Sequence, residues 1–186
     1  MIYIIDHKDS FTHNIVHQLS KFDKKIECED FDRINYTKLN KADVIVFSPG
    51  PGSPKDYPKS SEIYKKYKCK KKIIGICLGF QQILFNENGR IIKQDKIYHG
   101  FQSPISVINK KSLFSKYKTF KVGRYHSLKL KEPFYAKNFE ITMRCRVSKA
   151  AMAIENKIDQ IYGFQFHPES FLTENGNLLI KKILSA

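Results

Sequence analysis

Residues Lys72 to Gln82 read KIIGICLGFQQ, and they combine a strand, a sharp bend and the start of a helix. Lys72–Ile76 is a short apolar run rich in isoleucine, which predicts a buried strand. From Leu78 onward, residues recur at helical spacing as far as Phe85, which predicts a helix. Cys77 is therefore expected on the bend between the two elements.

Gly75 and Gly79 lie two residues before and two residues after Cys77, as in a nucleophile elbow. Such a bend needs small residues at these positions, because the strand and helix backbones cross closely there. The bend exposes the thiol at the carboxyl end of the sheet, beside a helix N-terminus that favours the thiolate. A cysteine can also be only a small buried hydrophobic residue, but the two glycines favour a catalytic thiol.

Strands and helices alternate in the first half of the chain. This order predicts an α/β fold with a mostly parallel central sheet and helices on both faces. Ser10 is placed to cap the first helix, whose inward side carries Phe11, Ile15, Leu19 and Phe22. The predicted elements are strands at Met1–Ile5, Lys25–Glu29, Ala42–Ser48 and Lys72–Ile76, and a helix at Lys59–Tyr67.

After Phe85 the pattern changes to short segments rich in β-formers, which predict an antiparallel extension of the sheet. These segments are Arg90–Gln94, Pro104–Ile108, Phe120–Val122, Ile141–Arg146, Ala151–Glu155 and Gln160–Phe166. The inward residues of a closing helix, over about 175–184, are expected to be Leu178, Leu179, Ile183 and Leu184. With 186 residues and no linker or repeat, we expect one domain over residues 1–186.

Charge and cysteine usage limit the possible functions. The net charge of +15 suggests a nucleic-acid partner, but only five of the 33 basic residues are arginine and the lysines are spread along the chain. This distribution argues against nucleic-acid binding. No apolar stretch has membrane-spanning length, and the apolar start MIYIID, without a basic region or cleavage site, leads us to expect no secretory signal. Four cysteines without a CxxC pair argue against zinc and disulfides, so we expect a cytoplasmic protein without metal or cofactor.

A thiol nucleophile needs a base and a group that orients the base. His167 follows the last predicted strand, at the sheet edge where Cys77 is expected and where open α/β sheets build their sites. Glu169 lies two residues on, on the same side of an extended chain, and can hold the imidazole as the third member of a triad. FHPES (166–170) can also be a strand end with a surface turn, but the Cys77 elbow favours the triad.

Acyl transfer also needs hydrogen-bond donors for an oxyanion. The amide of Leu78, next after the nucleophile, is one donor by elbow geometry. The Pro49–Gly52 loop follows the neighbouring strand, and Gly52 is the expected second donor. Clusters of glycine and proline are usually only turns, but the position of this loop beside the elbow favours a role in the site.

Six motifs run nearly from end to end of the chain: DHKDSFTHN (6–14), SPGPGSP (48–54), GICLGFQ (75–81), HGFQSPI (99–105), RYHSL (124–128) and FHPES (166–170). Together they resemble class I (triad-type) glutamine amidotransferases. More narrowly, the chain is similar to the glutaminase subunits of anthranilate synthase and aminodeoxychorismate (para-aminobenzoate) synthase. GxCxGxQ marks the wider superfamily, whereas SPGPG, RYHSL and FHPES mark this branch.

The resemblance implies that Cys77 attacks the glutamine side-chain amide, releases ammonia and leaves a glutamyl thioester. Water activated by His167 then hydrolyses the thioester, while Glu169 supports the histidine. In such families, ammonia passes through a buried channel to a chorismate-binding partner subunit, which also activates the glutaminase. Gly52 and Leu78 form the implied oxyanion hole, and the implied glutamine-binding residues are Gly50, Gly52, Gln81, Ser127 and Leu128.

Three residues need comment beside this resemblance: two depart from the family motifs, and one is a second candidate histidine. Phe80 replaces the histidine common in GxCLGHQ, so we expect altered packing and retained activity. Phe101 falls where HGK is common, in a loop that faces either the partner or the glutamine. His126 is a rival histidine, but within RYHSL we expect it to shape the substrate or partner surface and not to take protons.

Alternatives remain open at this point. A free-standing cysteine hydrolase, of the gamma-glutamyl hydrolase or peptidase type, is opposed by the SPGPG and RYHSL motifs. An inactive regulatory partner is opposed by the intact Cys77, His167 and Glu169. The pathway is folate synthesis, tryptophan synthesis or both, and YHGFQSPI (98–105) followed by RYHSL favours the aminodeoxychorismate branch slightly.

Overall fold

The structure is a computed structural model that describes residues 1–23 and 25–186. Over these residues the chain forms eleven strands and five α-helices. The strands are β1 (Ile2–Asp6), β2 (Ile26–Asp30), β3 (Val44–Phe47), β4 (Lys72–Ile76), β5 (Arg90–Lys93), β6 (Phe101–Val107), β7 (Thr119–Arg124), β8 (Leu128–Lys131), β9 (Glu140–Cys145), β10 (Ala151–Asn156) and β11 (Ile161–Phe164). The helices are α1 (Thr12–Leu19), α2 (Tyr36–Lys41), α3 (Pro58–Tyr67), α4 (Leu78–Asn86) and α5 (Gly176–Leu184).

The large sheet has the strand order β2–β1–β3–β4–β11–β10–β9–β6–β7. Pairings from β2 through β11 are parallel, whereas those from β11 through β7 are antiparallel. The predicted parallel sheet with an antiparallel extension is therefore confirmed. One detail is wrong: the predicted strand at Arg90–Gln94 forms β5, but it pairs with β8 in a separate two-stranded sheet.

Helices cover both faces of the parallel strands, as predicted. Because neighbouring residues of a strand point to opposite faces, Ile73 and Ile74 of β4 belong to two different hydrophobic clusters. Ile74 packs with residues of α1 and α5, including Ile15 and Leu179. Ile73 shares its cluster with α3 and α4, including Ile83. The central strand is thus buried on both sides, which fixes the position of the bend that follows it.

The predicted start and end of the first helix need correction. Ser10 does not cap it: the Oδ1 atom of Asp9 accepts the N–H of Phe11 at 2.9 Å, and the helix begins without a side-chain cap. The aspartate closes an Asx turn and orders this entry in place of the serine. Phe22 lies beyond Leu19, where α1 ends, and is 36% exposed. The inward face therefore stops one turn earlier than predicted.

The closing helix differs from the prediction in phase. Leu179 and Ile183 are buried as expected, and Leu184 is partly buried against the same cluster. Leu178, however, is 48% exposed, and Ile180 takes the buried position. Among the described residues, no helix is both long enough and apolar enough to cross a membrane.

Candidate active site

The bend after β4 has the close backbone crossing that the sequence predicts. A Cβ atom on Gly79 would lie 2.1 Å from the carbonyl oxygen of Phe47, and one on Gly75 would lie 2.5 Å from the backbone of Gly79. Larger residues cannot fit without displacing backbone. Cys77 itself has φ 52° and ψ −98°, which is a strained conformation for a residue with a side chain. Such strain is typical of functional bends and is held here by β4 on one side and α4 on the other.

Cys77 is tied to strand β11 as well as to its own strand. Its backbone N–H donates to the carbonyl of Phe164 at 2.8 Å, so the bend is anchored at the end of β11. The chain then continues through Gln165 to His167, whose N–H donates to the carbonyl of Gly123 at 3.1 Å. The carboxyl ends of β4 and β11 therefore bring the thiol and the imidazole to one sheet edge.

His167 and Glu169 form a buried pair. The Nδ1 atom of His167 lies 2.7 Å from Oε1 of Glu169, and the two side chains are 2% and 0% exposed. Within the described residues, the other ring nitrogen, Nε2, is buried without a hydrogen-bond partner. The rings of Tyr125 and Phe11 pack edge-on against the imidazole, at centroid distances of 4.9 and 5.1 Å. The imidazole is thus held by one carboxylate and two aromatic rings, with Nε2 left free.

Electrostatics favour a charged imidazole at this position. Burial lowers the pKa of His167, but the negative charges of Glu169 and Cys77 outweigh burial and raise this pKa well above 6.5. An imidazolium between a carboxylate and a thiolate is the arrangement expected of an activated cysteine, since each charge stabilises the next. The site therefore favours the imidazolium form of His167, which can act as a proton donor.

A small cavity of about 160 Å³ opens beside the thiol. It is below the range of about 300–1,000 Å³ that suits drug-sized ligands, so it fits a small molecule. The structure brings together here the predicted nucleophile, both predicted oxyanion donors and every predicted glutamine-binding residue. The cavity is lined by Gly50, Pro51, Gly52, Cys77, Leu78, Gln81, Tyr125, His126, Ser127 and Leu128.

The Pro49–Gly52 loop is shaped by a buried histidine. The Nε2 atom of His7 lies 2.9 Å from the hydroxyl oxygen of Ser60, and its Nδ1 atom lies 3.1 Å from the carbonyl oxygen of Ser48. A Cβ atom on Gly50 would lie 2.5 Å from Cβ of His7, so only glycine allows this approach. Burial lowers the pKa of His7 to about 4. A neutral imidazole therefore fixes the loop against the end of β1.

The far wall of the cavity is held by a buried arginine. The Nε atom of Arg124 donates to Nε2 of His126 at 3.0 Å, and Nδ1 of His126 lies 2.7 Å from the carbonyl of Leu128. The guanidinium also stacks 3.4 Å from the ring centre of Tyr98. Burial and the charge of Arg124 lower the pKa of His126 to about 3. With both ring nitrogens engaged, His126 shapes the segment that carries Ser127 and has no free nitrogen to take a proton.

Two residues near the thiol were not predicted. Gln165 is fully buried and places Nε2 3.9 Å from Sγ of Cys77. Tyr125 lines the cavity and lies 3.0 Å through its hydroxyl from Oγ of Ser170. A signal for Gln165 existed, because it stands two residues before His167 and so shares its side of the extended chain. Tyr125 gave no such signal, since its approach to His167 depends on tertiary packing.

The two departures from the motifs have different surroundings. Phe80 is fully buried, with Cδ2 2.9 Å from the place where a Cβ of Gly163 would lie. The phenyl ring thus packs on β11 and does not line the cavity. Phe101 is 49% exposed and contacts the ring of Tyr98 edge-on. Of the two expectations for this loop, contact with the substrate is not supported, because Phe101 is not among the described residues that line the cavity.

Metal ligands do not cluster in the part of the chain that the structure describes. No group of three or more histidine, cysteine, aspartate or glutamate side chains in residues 1–23 and 25–186 is arranged to hold a metal ion.

The chain matches a known protein family and several of its members. The family profile described as glutamine amidotransferase class-I matches residues 3–186. Anthranilate synthase component 2 of Lactococcus lactis is 37% identical over 187 residues, which cover 100% of this chain and 94% of the relative. Aminodeoxychorismate/anthranilate synthase component 2 of Bacillus subtilis is 33% identical, over 99% of this chain and 95% of the relative.

The fold is shared with solved structures at lower identity. A crystal structure of a glutamine amidotransferase from Thermotoga maritima aligns with a TM-score of 0.73 at 14% identity, over 99% of this chain and 80% of that one. At this identity the likeness supports the fold alone. The α/β architecture with an antiparallel extension is therefore common to both chains.

Proposed function

Because the chain belongs to the class I glutamine amidotransferase family, we propose that it is the glutamine-hydrolysing subunit of a synthase that uses chorismate. The observation that carries this proposal is the arrangement of Cys77, His167 and Glu169 beside a cavity of about 160 Å³. The relatives named as component 2 of such synthases support the subunit role. The same proposal treats residues 1–186 as one domain, since both hydrophobic clusters lie on opposite faces of one sheet.

In the first half of the proposed reaction, the thiolate of Cys77 attacks the side-chain carbonyl carbon of glutamine. The carbonyl oxygen becomes an oxyanion and accepts hydrogen bonds from the amides of Leu78 and Gly52. Leu78 is the first residue of α4, where amides have no carbonyl within the helix to bind. The C–N bond then breaks as His167 gives its Nε2 proton to the leaving ammonia. A glutamyl thioester on Cys77 remains.

In the second half, neutral His167 takes a proton from water, and the resulting hydroxide attacks the thioester carbonyl. The tetrahedral intermediate collapses, glutamate leaves, and Cys77 departs as the thiolate. His167 is again the imidazolium, stabilised by Glu169. Each half uses the same two amides for the oxyanion, and the proton taken from water replaces the one given to ammonia. The triad therefore returns to its starting state.

We place the partner on the rim of the cavity. Phe101 is 49% exposed and Phe171 is 91% exposed. Their segments are joined, because Nε2 of Gln102 donates to the carbonyl of Leu172 at 3.0 Å. Both segments flank the cavity-lining Tyr125, whose hydroxyl contacts Ser170 in the FHPES loop. Exposed aromatic side chains are enriched at protein interfaces, and ammonia released from this cavity would reach a chain seated there first.

Substitutions at this surface can be compared with a control substitution at the other end of the sheet. Replacing Phe101 and Phe171 by serine should weaken association with the synthase subunit. Ile158, which is 75% exposed just before β11, lies at the opposite, amino end of the parallel strands. Ile158→Ser should leave association unchanged. Equal affinities for both variants, measured by calorimetry, would place the partner elsewhere.

The experiment that tests the proposed function mixes this chain with each candidate chorismate-binding synthase, with glutamine or ammonia as nitrogen source. Glutamine-dependent anthranilate with one partner only would assign the chain to tryptophan synthesis, and aminodeoxychorismate with the other only would assign it to folate synthesis. Activity with both would make it a shared subunit, as the name of the B. subtilis relative describes for that protein. Mixtures that use ammonia but not glutamine would refute the proposal.

A further inference from the structure

Gln165 connects the thiol to the wall of the substrate cavity. Its side chain is fully buried. One end, Nε2, lies 3.9 Å from Sγ of Cys77, and the other, Oε1, accepts a hydrogen bond from Nε2 of Gln81 at 3.1 Å. Its backbone N–H donates to the carbonyl of Met152 at 2.9 Å, so the neighbouring strand holds it in place. The mechanism proposed above does not use this residue.

The direction of this amide chain follows from the charge on sulfur. A thiolate can only accept hydrogen bonds, so Gln165 turns its NH₂ group to Cys77 and its carbonyl oxygen away. That oxygen can only accept, so Gln81 must turn its own NH₂ group toward it. The carbonyl oxygen of Gln81 is then the end left over. Ionisation of Cys77 thus selects which end of Gln81 is free.

The free end of Gln81 belongs to the cavity. Gln81 lines the cavity, and in the described part of the chain its Oε1 atom has no hydrogen-bond donor, whereas Nε2 is engaged by Gln165. An amide oxygen left without a donor is suited to an ammonium group, which donates three hydrogen bonds and accepts none. In the proposed substrate, the only ammonium group is the one on the α-carbon.

We infer that Gln165 is a positioning residue that couples the ionised thiol of Cys77 to recognition of the substrate's α-ammonium group through Gln81. This inference rests on the proposed function for the identity of the substrate, but the contact between Gln165 and Cys77 can be tested without it. The coupling makes the thiolate form of the site the one that accepts an amino acid.

Two variants separate the two contacts of Gln165. Gln165→Leu removes both the donor to sulfur and the acceptor for Gln81. Gln165→Glu keeps the shape and the acceptor, so Gln81 stays oriented, but it places a carboxylate where sulfur had a donor. Gln82→Leu is the matched control. Gln82 is also a buried glutamine, next to Gln81 in α4, but its amide contacts Oγ of Ser61 at 2.6 Å and not the thiol.

Two measurements on the isolated chain serve as readouts. The first is the pH profile of Cys77 alkylation by iodoacetamide, followed by peptide mass spectrometry because three other cysteines are present. The second is protection of Cys77 from alkylation by L-glutamate and by glutarate, which differ only in the α-ammonium group. The ratio of their half-protecting concentrations reports recognition of that group, and neither readout requires turnover.

Both variants should shift the alkylation profile of Cys77 to higher pH, and the glutamate variant should shift it further. Gln165→Leu should lower the preference for L-glutamate over glutarate by about tenfold, as for one lost hydrogen bond to a charged group. Gln165→Glu should retain this preference, and Gln82→Leu should match the wild type in both readouts.

An unchanged alkylation profile in both variants, or an unchanged preference in Gln165→Leu, would overturn the inference. If Gln165→Leu fails to fold, Gln165→Glu still tests the inference. A wild-type alkylation profile of Cys77 together with a lost preference for L-glutamate over glutarate in this variant would overturn it. Failure of the proposed function would look different: L-glutamate would then not protect the wild-type chain, while the alkylation profile would still report the contact between Gln165 and Cys77.

Discussion

The Nδ1 atom of His167 lies 2.7 Å from Oε1 of Glu169, with both side chains removed from solvent. A buried imidazolium is unfavourable unless an opposite charge lies beside it. The carboxylate supplies that charge and also fixes the ring, so that Nε2 remains for the thiol. In the FHPE sequence (166–169), Pro168 lies between His167 and Glu169 and stiffens the turn that holds their side chains together. From this contact we expect that the site needs a carboxylate here and not merely a polar side chain.

Glu169→Gln should reduce glutamine hydrolysis at least about a hundredfold, because a neutral amide no longer stabilises the imidazolium. The pKa of His167 should fall, since Glu169 is the first of the charges that raise it. Alkylation of Cys77 at neutral pH should slow accordingly. Ammonia-dependent synthesis by the complex with its partner is the control and should be unchanged. Wild-type hydrolysis in this variant would show that Glu169 has no part in the chemistry.

Gly79→Ala should destabilise the fold by about 3 kcal/mol or more, because overpacking against backbone leaves few ways to relax. Its Cβ would lie 2.1 Å from the carbonyl oxygen of Phe47. Gly100→Ala is the matched control, because that Cβ meets its nearest atom, on Tyr125, at 3.8 Å and is strained only by a φ of +76°. Urea unfolding of both variants measures the difference. Equal losses would mean that the crossing of β3 and α4 is looser than described.

His7 should make the fold sensitive to acid. Its folded-state pKa of about 4 lies below the ordinary 6.5, so between these values only the unfolded chain binds the proton, and stability falls as pH falls. Between pH 7 and pH 5 this residue should account for a loss of about 2 kcal/mol in the free energy of unfolding. His7→Gln should show a correspondingly smaller loss across that interval in urea titrations. Parallel pH dependences would contradict a neutral, buried His7.

Tyr125 should act through its ring more than through its hydroxyl. The ring packs on His167 at a centroid distance of 4.9 Å and on Phe11 at 4.8 Å. Tyr125→Phe keeps both contacts and should hydrolyse glutamine within about threefold of the wild type. Tyr125→Ala frees the imidazole to shift and should lose about ten- to a hundredfold in rate. Similar rates for the two variants would assign the effect to the hydroxyl and its contact with Ser170.

Much of the fold could be predicted from the sequence because local patterns and long-range requirements agree there. The apolar run before Cys77 and the glycines around it have one physical solution, a buried strand that crosses a helix. Segments with weak or ambiguous local patterns were harder to predict. The helix α2 is only six residues long and polar, and its signal was the cap at Asn35, whose side chain accepts the N–H of Lys38. The phase of α5 was misplaced because Leu178, Leu179 and Ile180 are all apolar and only tertiary packing chooses among them.

The geometry of the candidate site was predictable where its residues lie close in sequence. Cys77 with its glycines, and His167 with Glu169, are such sets, and the structure places them at one sheet edge. Contacts between distant segments were not predictable in the same way. The position of Tyr125 against His167, and of Gln165 between Cys77 and Gln81, depends on how β7, β11 and α4 meet. Patterns in a single sequence carry no information on how such distant segments pack together.

Labelling of the chain with an electrophilic analogue of glutamine, followed by peptide mass spectrometry, tests directly whether Cys77 is a nucleophile in a glutamine-binding site. Cys69 is exposed, whereas Cys77 is only 6% exposed, so simple accessibility would favour Cys69. We expect rapid modification of Cys77 that excess glutamine slows, with any labelling of Cys69 unaffected by glutamine. Labelling of Cys69 with Cys77 left unmodified, or labelling of Cys77 that glutamine does not slow, would contradict a glutamine-binding nucleophile at this bend.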